Sequence, residues 1–306
     1  MTKVFIDGSA GTTGLRIHER LSGRKDIDLI SVPEELRKDK KAREEAINAA
    51  DVAFFCLPDA AAIEAASLVH GSTAVIDTST AHRTNPDWDY GFPELKGRRE
   101  KIAVSKRVAN PGCHASGFIS LAEPLVRAGI IPADLKLSCF SLTGYSGGGK
   151  KMIAEYEDPG RSPLLSAPRQ YALGQQHKHL KEMTLISGLE EPPVFCPIVA
   201  DYYSGMELTV PLFRKDIKGD ISDISEVYRE YYSSGLVHFE EDDPEGGLLS
   251  GAALSGRDDM EIRVAGCDER ILLISRFDNL GKGASGAAIQ NMNIILGLDE
   301  KTGLVI

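Results

Sequence analysis

Several features that would point to other classes of protein are missing from this chain of 306 residues. It has no apolar run near the ~20 residues that a membrane span needs, and its N-terminal residues do not resemble a signal peptide. Its five cysteines form no C-x-x-C pair, so neither a metal site nor a disulfide framework is expected. The net charge of -10 argues against nucleic acid or an anionic membrane as a partner. We therefore expect a cytoplasmic protein with reduced cysteines and small-molecule partners.

What the sequence does have, at its beginning, is a short apolar strand followed by three glycines. Residues 3–7 read as the strand, and glycines recur at three-residue spacing before a helical pattern begins. A glycine turn between a strand and a helix lets a pyrophosphate approach the helix N-terminus closely. A plain strand-to-helix turn is the alternative. We interpret the pattern as a dinucleotide site with contacts from Gly8, Ser9, Gly11, Thr12, Thr13 and Gly14.

Apolar strands then alternate with helical segments over the first third of the chain. Unbroken apolar runs are typical of parallel strands that are buried on both faces. The alternation predicts a doubly wound α/β sheet. Pro58 follows the third strand directly, at the sheet edge where such folds bind ligands. The further strands are predicted at residues 27–32, 51–57 and 73–77, and the helices between them at 34–50 and 60–69.

The end of the second strand indicates which dinucleotide is bound. NAD-binding domains usually place an acidic residue there, on the ribose 2′-hydroxyl. This chain has Ser31, and the next acid is Glu34, which Arg37 follows. The basic residues after Ser31 are also compatible with a solvated helix face. The missing acid leads us to expect NADP as the cofactor.

A lone cysteine follows a Pro-Gly pair in residues 110–114, Asn-Pro-Gly-Cys-His. Apolar residues recur at helical spacing from Ala115 until Gly129, so a helix is predicted to begin at or just after Cys113. Unpaired N–H groups at a helix start favour a thiolate over a thiol. Gly112 leaves room for a substrate to reach the sulfur. Burial as a small apolar filler is the alternative, and we interpret Cys113 as a nucleophile.

A nucleophilic thiolate together with a hydride carrier suggests reduction of an activated acyl group through a thioester, or the reverse oxidation. That reaction needs a general acid/base, for which His177 and His179 are the best candidates. Their side chains point the same way if the backbone is extended, although a surface histidine pair fits the pattern equally well. His114 could tune the cysteine or point away from it.

Anion-binding groups are expected at one arginine and in two glycine-rich segments. Arg83 follows the fourth strand and could hold a phosphate or a carboxylate as a fork. Residues 141–150 combine glycines, hydroxyls and a lysine at the end of a strand, which suits an anion nest. Residues 278–286 form a second glycine-rich helix start, and the apolar helix after it is expected to return to the first domain.

These patterns predict two domains. Residues 1–112 and about 284–306 would form an NADP-binding domain, and residues 113–283 would form an α+β catalytic and oligomerisation domain. Strands of the second domain are clearest at 208–212 and 271–274, and alternation at 261–264 favours a sheet with one exposed face. The acidic run 241–247 is expected to be a solvated loop.

Taken together, the motifs resemble the shorter-chain subgroup of N-acetyl-gamma-glutamyl-phosphate reductases, which are related to aspartate-semialdehyde dehydrogenases. The resemblance rests on the order and spacing of residues 8–14, 77–83, 90–95, 110–113, 141–150, 177–179 and 279–293. It implies NADPH-dependent reductive dephosphorylation of N-acetyl-glutamyl 5-phosphate to the semialdehyde, a step of arginine biosynthesis. It also implies a homo-oligomer, either a dimer or a tetramer.

The resemblance implies roles for individual residues as well. Cys113 would be the nucleophile. One histidine of the pair His177 and His179 would be the acid/base and the other would bind the anionic groups of the substrate, in an order that stays open. The remaining implied contacts are Arg83, Asn110, Ser141, Gly144, Tyr145, Ser146 and Gln175 for the substrate, and Asn279, Gly281, Lys282 and Gly283 for the cofactor.

Two positions depart from the family pattern. His114 stands where an aromatic residue is common after the cysteine, and Lys181 stands where a proline commonly follows the histidine pair. Both departures bear on substrate detail more than on mechanism. Two alternative functions stay open: the same chemistry on aspartyl phosphate or an amino-adipyl analogue, and dinucleotide binding without catalysis.

Overall fold

A computed structural model describes residues 1–242 and 245–306 of the chain. Residues 243 and 244, which belong to the acidic run expected to be a loop, lie outside the described residues. The chain divides into two compact units. Unit 1 comprises residues 1–93, 97–111 and 284–304, and unit 2 comprises residues 94–96, 112–283 and 305–306.

The helices and strands are numbered in chain order. The first ten are β1 (Thr2–Asp7), α1 (Thr12–Ser22), β2 (Ile27–Ile30), α2 (Lys40–Ala49), β3 (Val52–Phe55), α3 (Asp59–Ser67), β4 (Ala74–Asp77), β5 (Asp89–Tyr90), α4 (Arg98–Val104) and β6 (Arg107–Ala109). The others are α5 (Cys113–Arg127), β7 (Ser138–Gly144), α6 (Gly149–Glu157), β8 (Arg169–Gln170), α7 (Leu180–Ser187), β9 (Val194–Ala200), β10 (Met206–Phe213), α8 (Ile221–Tyr231), β11 (Val237–Phe239), β12 (Met260–Cys267), β13 (Arg270–Phe277) and α9 (Gly286–Ile295).

Unit 1 is built on a six-stranded sheet in the order β2-β1-β3-β4-β6-β5, with every pairing parallel. Successive residues of β1 point to opposite faces, and both faces are covered. Val4 and Ile6 pack with residues of α1 and α9, whereas Phe5 packs with residues of α2 and α3. The predicted doubly wound α/β sheet is therefore confirmed.

The predicted boundaries were less accurate than the predicted order. Residues 34–36 form a separate 3₁₀ turn, and α2 begins only after Asp39, whose carboxylate accepts a hydrogen bond from the Ala42 N–H at 2.8 Å. Asp39 thus caps the start of α2, six residues after the start of the helix predicted over 34–50. Strand β2 ends at Ile30, so that Ser31 lies in the exposed segment after it.

Unit 2 carries a seven-stranded mixed sheet in the order β11-β12-β13-β10-β7-β9-β8. Helix α5 packs on β10 and β13 and also contacts α7 and α8. The predicted strands at 208–212 and 271–274 lie within β10 and β13. A mixed sheet in the second part of the chain is therefore confirmed.

The two faces of this sheet differ in polarity and cover. Phe140 pairs with Thr209 and Cys196, and Pro211 pairs with Leu272. Because every second residue of a strand points to the same face, this pairing puts Phe140, Val194, Phe213 and Leu272 on one face of the sheet. These residues are exposed: Phe140 at 45%, Val194 at 57%, Phe213 at 57% and Leu272 at 37%. The opposite face carries the buried residues Cys139, Ser141 and Phe195.

Candidate active site

Helix α5 begins at Cys113, which confirms the predicted helix start. Gly112 precedes the helix in an extended conformation, with φ -81° and ψ 145°, and its carbonyl accepts the Ser116 N–H at 2.8 Å. The sulfur therefore lies on the first residue of a 15-residue helix. The Cys113 side chain is partly exposed, so the first requirement for a nucleophile, access, is met.

A buried carboxylate lies against the turn that precedes the cysteine. Glu182, on the first turn of α7, is 1% exposed, and its Oε2 accepts a hydrogen bond from the Gly112 N–H at 3.2 Å. This contact fixes the backbone from which Cys113 projects. No sequence signal marks Glu182 as a site residue, because an acidic residue in the first turn of a helix is a common feature that does not single out a site.

The side chain of His114 points into unit 2 and is held at both ring nitrogens. Nδ1 lies 2.7 Å from Ser141 Oγ, and Nε2 lies 2.7 Å from Tyr171 Oη. The ring is 3% exposed. Burial, together with the nearby positive charges of His177 and Lys178, lowers the pKa of His114 to about 3, so its imidazole is neutral near pH 7.

The rings of His177 and His179 meet each other and His114. The His177 and His179 ring centroids are 4.6 Å apart, and those of His114 lie 5.6 Å from His177 and 5.7 Å from His179. The backbone is not extended here, since Lys178 and His179 form a turn that leads into α7. The extended backbone considered from the sequence is therefore wrong. A turn brings the two rings together instead, and a 3.2 Å hydrogen bond from the His179 N–H to His177 Nδ1 supports it.

Two aromatic residues complete this group of three imidazoles, which we call the imidazole cluster (His114, His177 and His179). Phe195 packs against the rings of His114 and His177 at 5.2 and 5.0 Å. Tyr171 lies 6.2 Å from His177 between ring centroids. Burial and then the charge of Cys113 raise the pKa of the Tyr171 phenol, so the hydroxyl keeps its proton. No sequence signal had marked Tyr171, because a tyrosine in a loop has many ordinary roles.

Gln175 anchors the segment that carries the histidines. It has a positive φ of 53°, and its side-chain amide donates to the Phe195 carbonyl at 2.8 Å and accepts from the Phe195 N–H at 2.9 Å. Both ends of the amide thus bind the backbone of β9. The contact expected from Gln175 to a substrate is replaced, in this geometry, by a contact that positions His177.

The glycine-rich segment after β7 does not form the expected open anion nest at its first three amides. The N–H groups of Gly144, Tyr145 and Ser146 donate to the carbonyls of Gly205, Tyr202 and Tyr203 at 3.0, 2.9 and 3.0 Å. Residues 145–148 form a 3₁₀ turn, and α6 follows directly. Those three amides are therefore unavailable to an anion, and the prediction of a nest there was wrong. Ser141, at the start of the segment, instead contacts His114.

The second glycine-rich segment forms a π-helical turn over residues 281–285, of which residues 281–283 belong to unit 2 and residues 284 and 285 to unit 1. Asn279 donates to Ser146 Oγ at 3.0 Å and accepts the Gly205 N–H at 2.9 Å. Lys282 is 1% exposed, and its Nζ lies 2.8 Å from both carboxylate oxygens of Glu94. A Cβ on Gly283 would lie 3.0 Å from the Cβ of Cys113. One on Gly281 would lie 2.0 Å from the Arg257 carbonyl oxygen.

Unit 1 contains the glycine turn predicted to bind a dinucleotide. Gly8 has φ +90°, and α1 begins at Thr12 after Gly11. A Cβ on Gly8 would lie 2.3 Å from the Cys56 carbonyl oxygen, and one on Gly14 would lie 2.4 Å from the Gly8 carbonyl oxygen. The turn therefore requires glycine at both positions, and Thr13 lies with Thr12 in the first turn of the helix.

A cleft of about 250 Å³ opens beside this turn. Its lining includes Gly8, Ser9, Ser31, Arg37 and Arg43. Arg43 is buried and donates to Asp7 Oδ2 from Nε at 3.0 Å and from a terminal nitrogen at 2.9 Å. Burial nevertheless raises the pKa of Asp7. The cleft joins a glycine turn to basic side chains near Ser31, which fits a dinucleotide with a phosphorylated ribose.

Pro58, the remaining predicted contact of unit 1 to the cofactor, precedes the first residue of α3 at the carboxyl end of β3.

Arg83 and Asn110 are also in unit 1, where they contact each other. Arg83 Nε donates to the Asn110 carbonyl at 2.9 Å, and a terminal nitrogen donates to the Thr78 carbonyl at 2.9 Å. The Asn110 amide donates to the Ala284 carbonyl at 3.1 Å. Both side chains are buried and bind backbone carbonyls. The structure thus gives them defined positions within unit 1.

Two other kinds of site, a metal centre and a membrane-spanning helix, are absent from residues 1–242 and 245–306. In the part of the chain that the structure describes, no group of three or more His, Cys, Asp or Glu side chains is arranged to hold a metal ion. Over those same residues, no helix combines the length and apolar character that a membrane crossing needs.

Two family models match the chain. The NAD binding domain of the semialdehyde dehydrogenases matches residues 3–105, and their dimerisation domain matches residues 113–279. Among solved structures, aspartate semialdehyde dehydrogenase II from Vibrio cholerae superposes with a TM-score of 0.72 at 16% identity, covering 97% of this chain and 99% of that chain. An aspartate semialdehyde dehydrogenase from Candida albicans, solved with NADP, gives a TM-score of 0.64 at 15% identity over 97% of this chain and 98% of its own. The fold and the cysteine site define an oxidoreductase of the semialdehyde dehydrogenase class.

Relatives with higher identity narrow this class. The N-acetyl-gamma-glutamyl-phosphate reductases of Brucella ovis and Brucella suis are each 45% identical to the chain over 307 aligned positions, covering 96% of this chain and 99% of theirs. The chain belongs to the N-acetyl-gamma-glutamyl-phosphate reductase family. The resemblance noted in the sequence is therefore confirmed.

Proposed function

We propose that this protein reduces N-acetyl-glutamyl 5-phosphate to N-acetyl-glutamate 5-semialdehyde with NADPH, releasing phosphate, as a step of arginine biosynthesis. The observation that carries the proposal is the position of Cys113 as the first residue of α5, where it is partly exposed and directly precedes His114 of the imidazole cluster. The names of the 45% identical relatives supply the substrate class. Unit 2 would carry the chemistry, and unit 1 would hold the cofactor.

The proposed reaction has two steps at the sulfur. The Cys113 thiolate attacks the acyl carbon and forms a C–S bond, and the C–O bond to phosphate breaks with its electron pair on the departing phosphate. NADPH would supply a hydride to the thioester carbon. The C–S bond then breaks, the electron pair returns to Cys113 as the thiolate, and the aldehyde is released. The helix N-terminus favours the thiolate both before the attack and after the release.

A proton donor and an anion site would come from His177 and His179. His114 is unsuited to donate a proton, because burial and its positive neighbours lower its pKa to about 3. The two remaining imidazoles of the cluster are the candidates, with one acting as acid/base and the other on the substrate's anionic groups. Glu182 would keep the turn at Gly112, and with it the sulfur, in place.

The preference for NADPH is supported by the cleft in unit 1. Ser31, Arg37 and Arg43 line it, together with Gly8 and Ser9. A guanidinium beside a serine suits a 2′-phosphate better than a 2′-hydroxyl. We expect kcat/KM to be at least about tenfold higher with NADPH than with NADH, which corresponds to about 1.4 kcal/mol. Equal efficiency with the two cofactors would contradict this assignment.

The central experiment is replacement of the sulfur. Cys113→Ser should lower kcat by at least about a thousandfold, since a hydroxyl is a far weaker nucleophile, and should leave NADPH affinity close to that of the wild type. The matched control is Cys267→Ser, which changes an exposed thiol in the β12–β13 hairpin and should leave kcat unchanged. A Cys113→Ser enzyme that retains substantial turnover would refute the mechanism.

A trapping experiment identifies the acyl group. Incubation with substrate in the absence of reductant, followed by mass spectrometry, should find one acyl adduct on the peptide that contains Cys113. The same assay with aspartyl phosphate and an amino-adipyl analogue compares the alternative substrates. A larger adduct yield with either of these would move the assignment to that substrate, and no adduct with any of them would favour a protein that binds dinucleotide without catalysis.

We also propose a homo-oligomer, a dimer or a tetramer, that works in the cytoplasm. The apolar sheet face with Phe140, Val194, Phe213 and Leu272 supports self-association, since a surface of that kind is usually covered. All five cysteines are free thiols, which suits a reducing compartment. Sedimentation velocity of the wild type and of Phe213→Glu tests the assembly. A wild type that sediments as a monomer would contradict it.

A further inference from the structure

Three side chains of unit 2 form a continuous hydrogen-bonded chain beside Cys113. Ser141 Oγ lies 2.7 Å from His114 Nδ1, and His114 Nε2 lies 2.7 Å from Tyr171 Oη. Ser141 is fully buried on β7, and His114 is the second residue of α5. The imidazole therefore links a strand of the sheet to the loop that carries Tyr171.

The neutral imidazole allows this chain only two directions. A neutral ring has one N–H donor and one acceptor nitrogen. In the first direction, Ser141 donates to Nδ1 and the Nε2–H donates to Tyr171, which leaves the phenolic proton to be donated elsewhere. In the second, Tyr171 donates to Nε2 and the Nδ1–H donates to Ser141, which leaves the serine proton to be donated elsewhere. The ring is neutral because it is buried next to His177 and Lys178.

Burial of Ser141 decides between the two directions. Within residues 1–242 and 245–306, the hydrogen bond to His114 is the one that Ser141 Oγ makes, and the side chain is 0% exposed. In the second direction the serine proton would be buried without an acceptor, which costs about 1–3 kcal/mol. In the first direction every proton of Ser141 and His114 is used. The first direction is therefore the stable one, with the proton of His114 on Nε2.

The first direction leaves the Tyr171 hydroxyl with a proton to donate, and the groups around it indicate the acceptor. The Tyr171 hydroxyl lies 2.7 Å from the ring of His114, the residue directly after Cys113, and burial followed by the charge of Cys113 raises the pKa of the phenol. The hydroxyl therefore stays protonated. Attack of the Cys113 sulfur on the acyl carbon puts negative charge on the oxygen of that carbon. A donor fixed in advance at that place would stabilise the charge without reorganisation.

We infer that His114 is a positioning residue that orders the chain from Ser141 to Tyr171 so that the Tyr171 hydroxyl donates to the acyl oxygen of the substrate held at Cys113. Tyr171 would be the catalytic residue of the pair, and His114 would act through it. The inference rests on the proposed function for its substrate. The direction of the hydrogen-bonded chain, however, is a property of the protein itself and can be measured without a substrate.

The first experiment measures the tautomer. In ¹⁵N spectra of histidine-labelled wild-type protein near pH 7, with His114→Phe to assign the signal, the proton of His114 should be on Nε2. In Ser141→Ala the preference for Nε2–H should weaken, because the donor to Nδ1 is gone. A wild-type spectrum with the proton on Nδ1 overturns the inference, whatever the enzyme's substrate is.

The second experiment is a double-mutant cycle on turnover of N-acetyl-glutamyl phosphate with NADPH. Tyr171→Phe should lower kcat about a hundredfold and His114→Phe at least about tenfold, with KM changed by less than about threefold. On the Tyr171→Phe background, His114→Phe should change kcat by less than about threefold, because its effect acts through the phenol. Equal effects of His114→Phe on both backgrounds would overturn the inference.

A matched pair of variants separates the two ends of the ring. The amide of His114→Gln reaches the Nε2 position and can still contact Tyr171, whereas the amide of His114→Asn reaches the Nδ1 position and can contact only Ser141. Gln should therefore restore kcat toward the wild-type value and Asn should not, with both variants within a few degrees of each other in Tm. Better rescue by Asn than by Gln would overturn the role of Tyr171. If the wild type has no turnover but carries the His114 proton on Nε2, the proposed function is wrong and the direction of the hydrogen-bonded chain still stands.

Discussion

The glycine turn of unit 1 and the imidazole cluster of unit 2 place polar groups for chemistry in two different ways. In the turn, Gly8 and Gly14 bring backbone atoms so close that a Cβ would lie within 2.4 Å of a carbonyl oxygen. Around the imidazole cluster, side chains from α5, β7, β9 and the segment before α7 meet at hydrogen-bonding or ring-contact distance. The glycine turn depends on residues that have no side chain, and the cluster depends on contacts between side chains that are distant in sequence.

This difference has a physical consequence for substitution. A backbone site keeps its donors whatever the neighbouring side chains are, provided that the glycines remain. A side-chain site is buried, and each member needs its partner, because a buried polar group that loses its partner costs the full desolvation penalty. The imidazole cluster should therefore lose more stability than the glycine turn when a single side chain is replaced.

The largest effect is expected at a buried ion pair of unit 2, between Lys282 and Glu94. Lys282→Met leaves the Glu94 carboxylate, which is 2.8 Å from Nζ at both oxygens, buried without its cation. Loss of one partner of a buried pair costs about 3–5 kcal/mol, so urea unfolding should show a decrease of that size. The control is Lys282→Met with Glu94→Gln, which removes both charges and should recover most of the loss. The sequence placed Lys282 at the cofactor, and a weaker NADPH affinity with unchanged stability would support that assignment over the ion pair.

The turn of unit 1 should respond in binding more than in stability. Gly14→Ala puts a methyl group 2.4 Å from the Gly8 carbonyl oxygen, so the turn must open. We expect NADPH affinity to fall about a hundredfold, or about 2.7 kcal/mol, as measured by fluorescence titration. Gly23→Ala is the matched control, since Gly23 ends the same helix and has no atom within 4 Å of its added Cβ. Equal affinities for Gly14→Ala and Gly23→Ala would show that the turn does not hold the cofactor.

The same contrast explains how much the sequence could predict. The glycine turn, the doubly wound sheet and the helix start at Cys113 depend on spacing along a short stretch of chain, and spacing is visible in a sequence. Tyr171 and Glu182 could not be found this way, because they reach the cysteine only through the packing of α5 on α7 and the sheet. The nest expected within residues 141–150 was wrong at its first three amides for a related reason. The N–H groups of Gly144, Tyr145 and Ser146 bind the carbonyls of residues 205, 202 and 203, which are distant in sequence.

The smallest of the three effects concerns pH and belongs to the imidazole cluster. His114 titrates at about 3 in the folded protein and near 6.5 when unfolded, so between these values the unfolded chain binds more protons. Stability is therefore complete above pH 6.5 and should fall as the pH drops toward 3, by about 2 kcal/mol at pH 5. The titratable side chains that act on or contact the ring are Tyr171, His177, Lys178 and His179, and Cys113 is the residue before it.

His114→Phe removes this dependence and leaves the other groups in place. Urea unfolding at pH 7 and at pH 5 should therefore show a smaller loss in the variant than in the wild type, with the difference between the two losses about 2 kcal/mol. Phe can fill the place of the imidazole beside Phe195, and loss of the hydrogen bonds to Ser141 and Tyr171 lowers stability alike at both pH values, so the difference between the two losses reports the proton. If the wild type and the variant lose the same unfolding free energy between pH 7 and pH 5, His114 is solvated in the folded state. The contrast between a backbone site and a buried side-chain site would then not apply to His114.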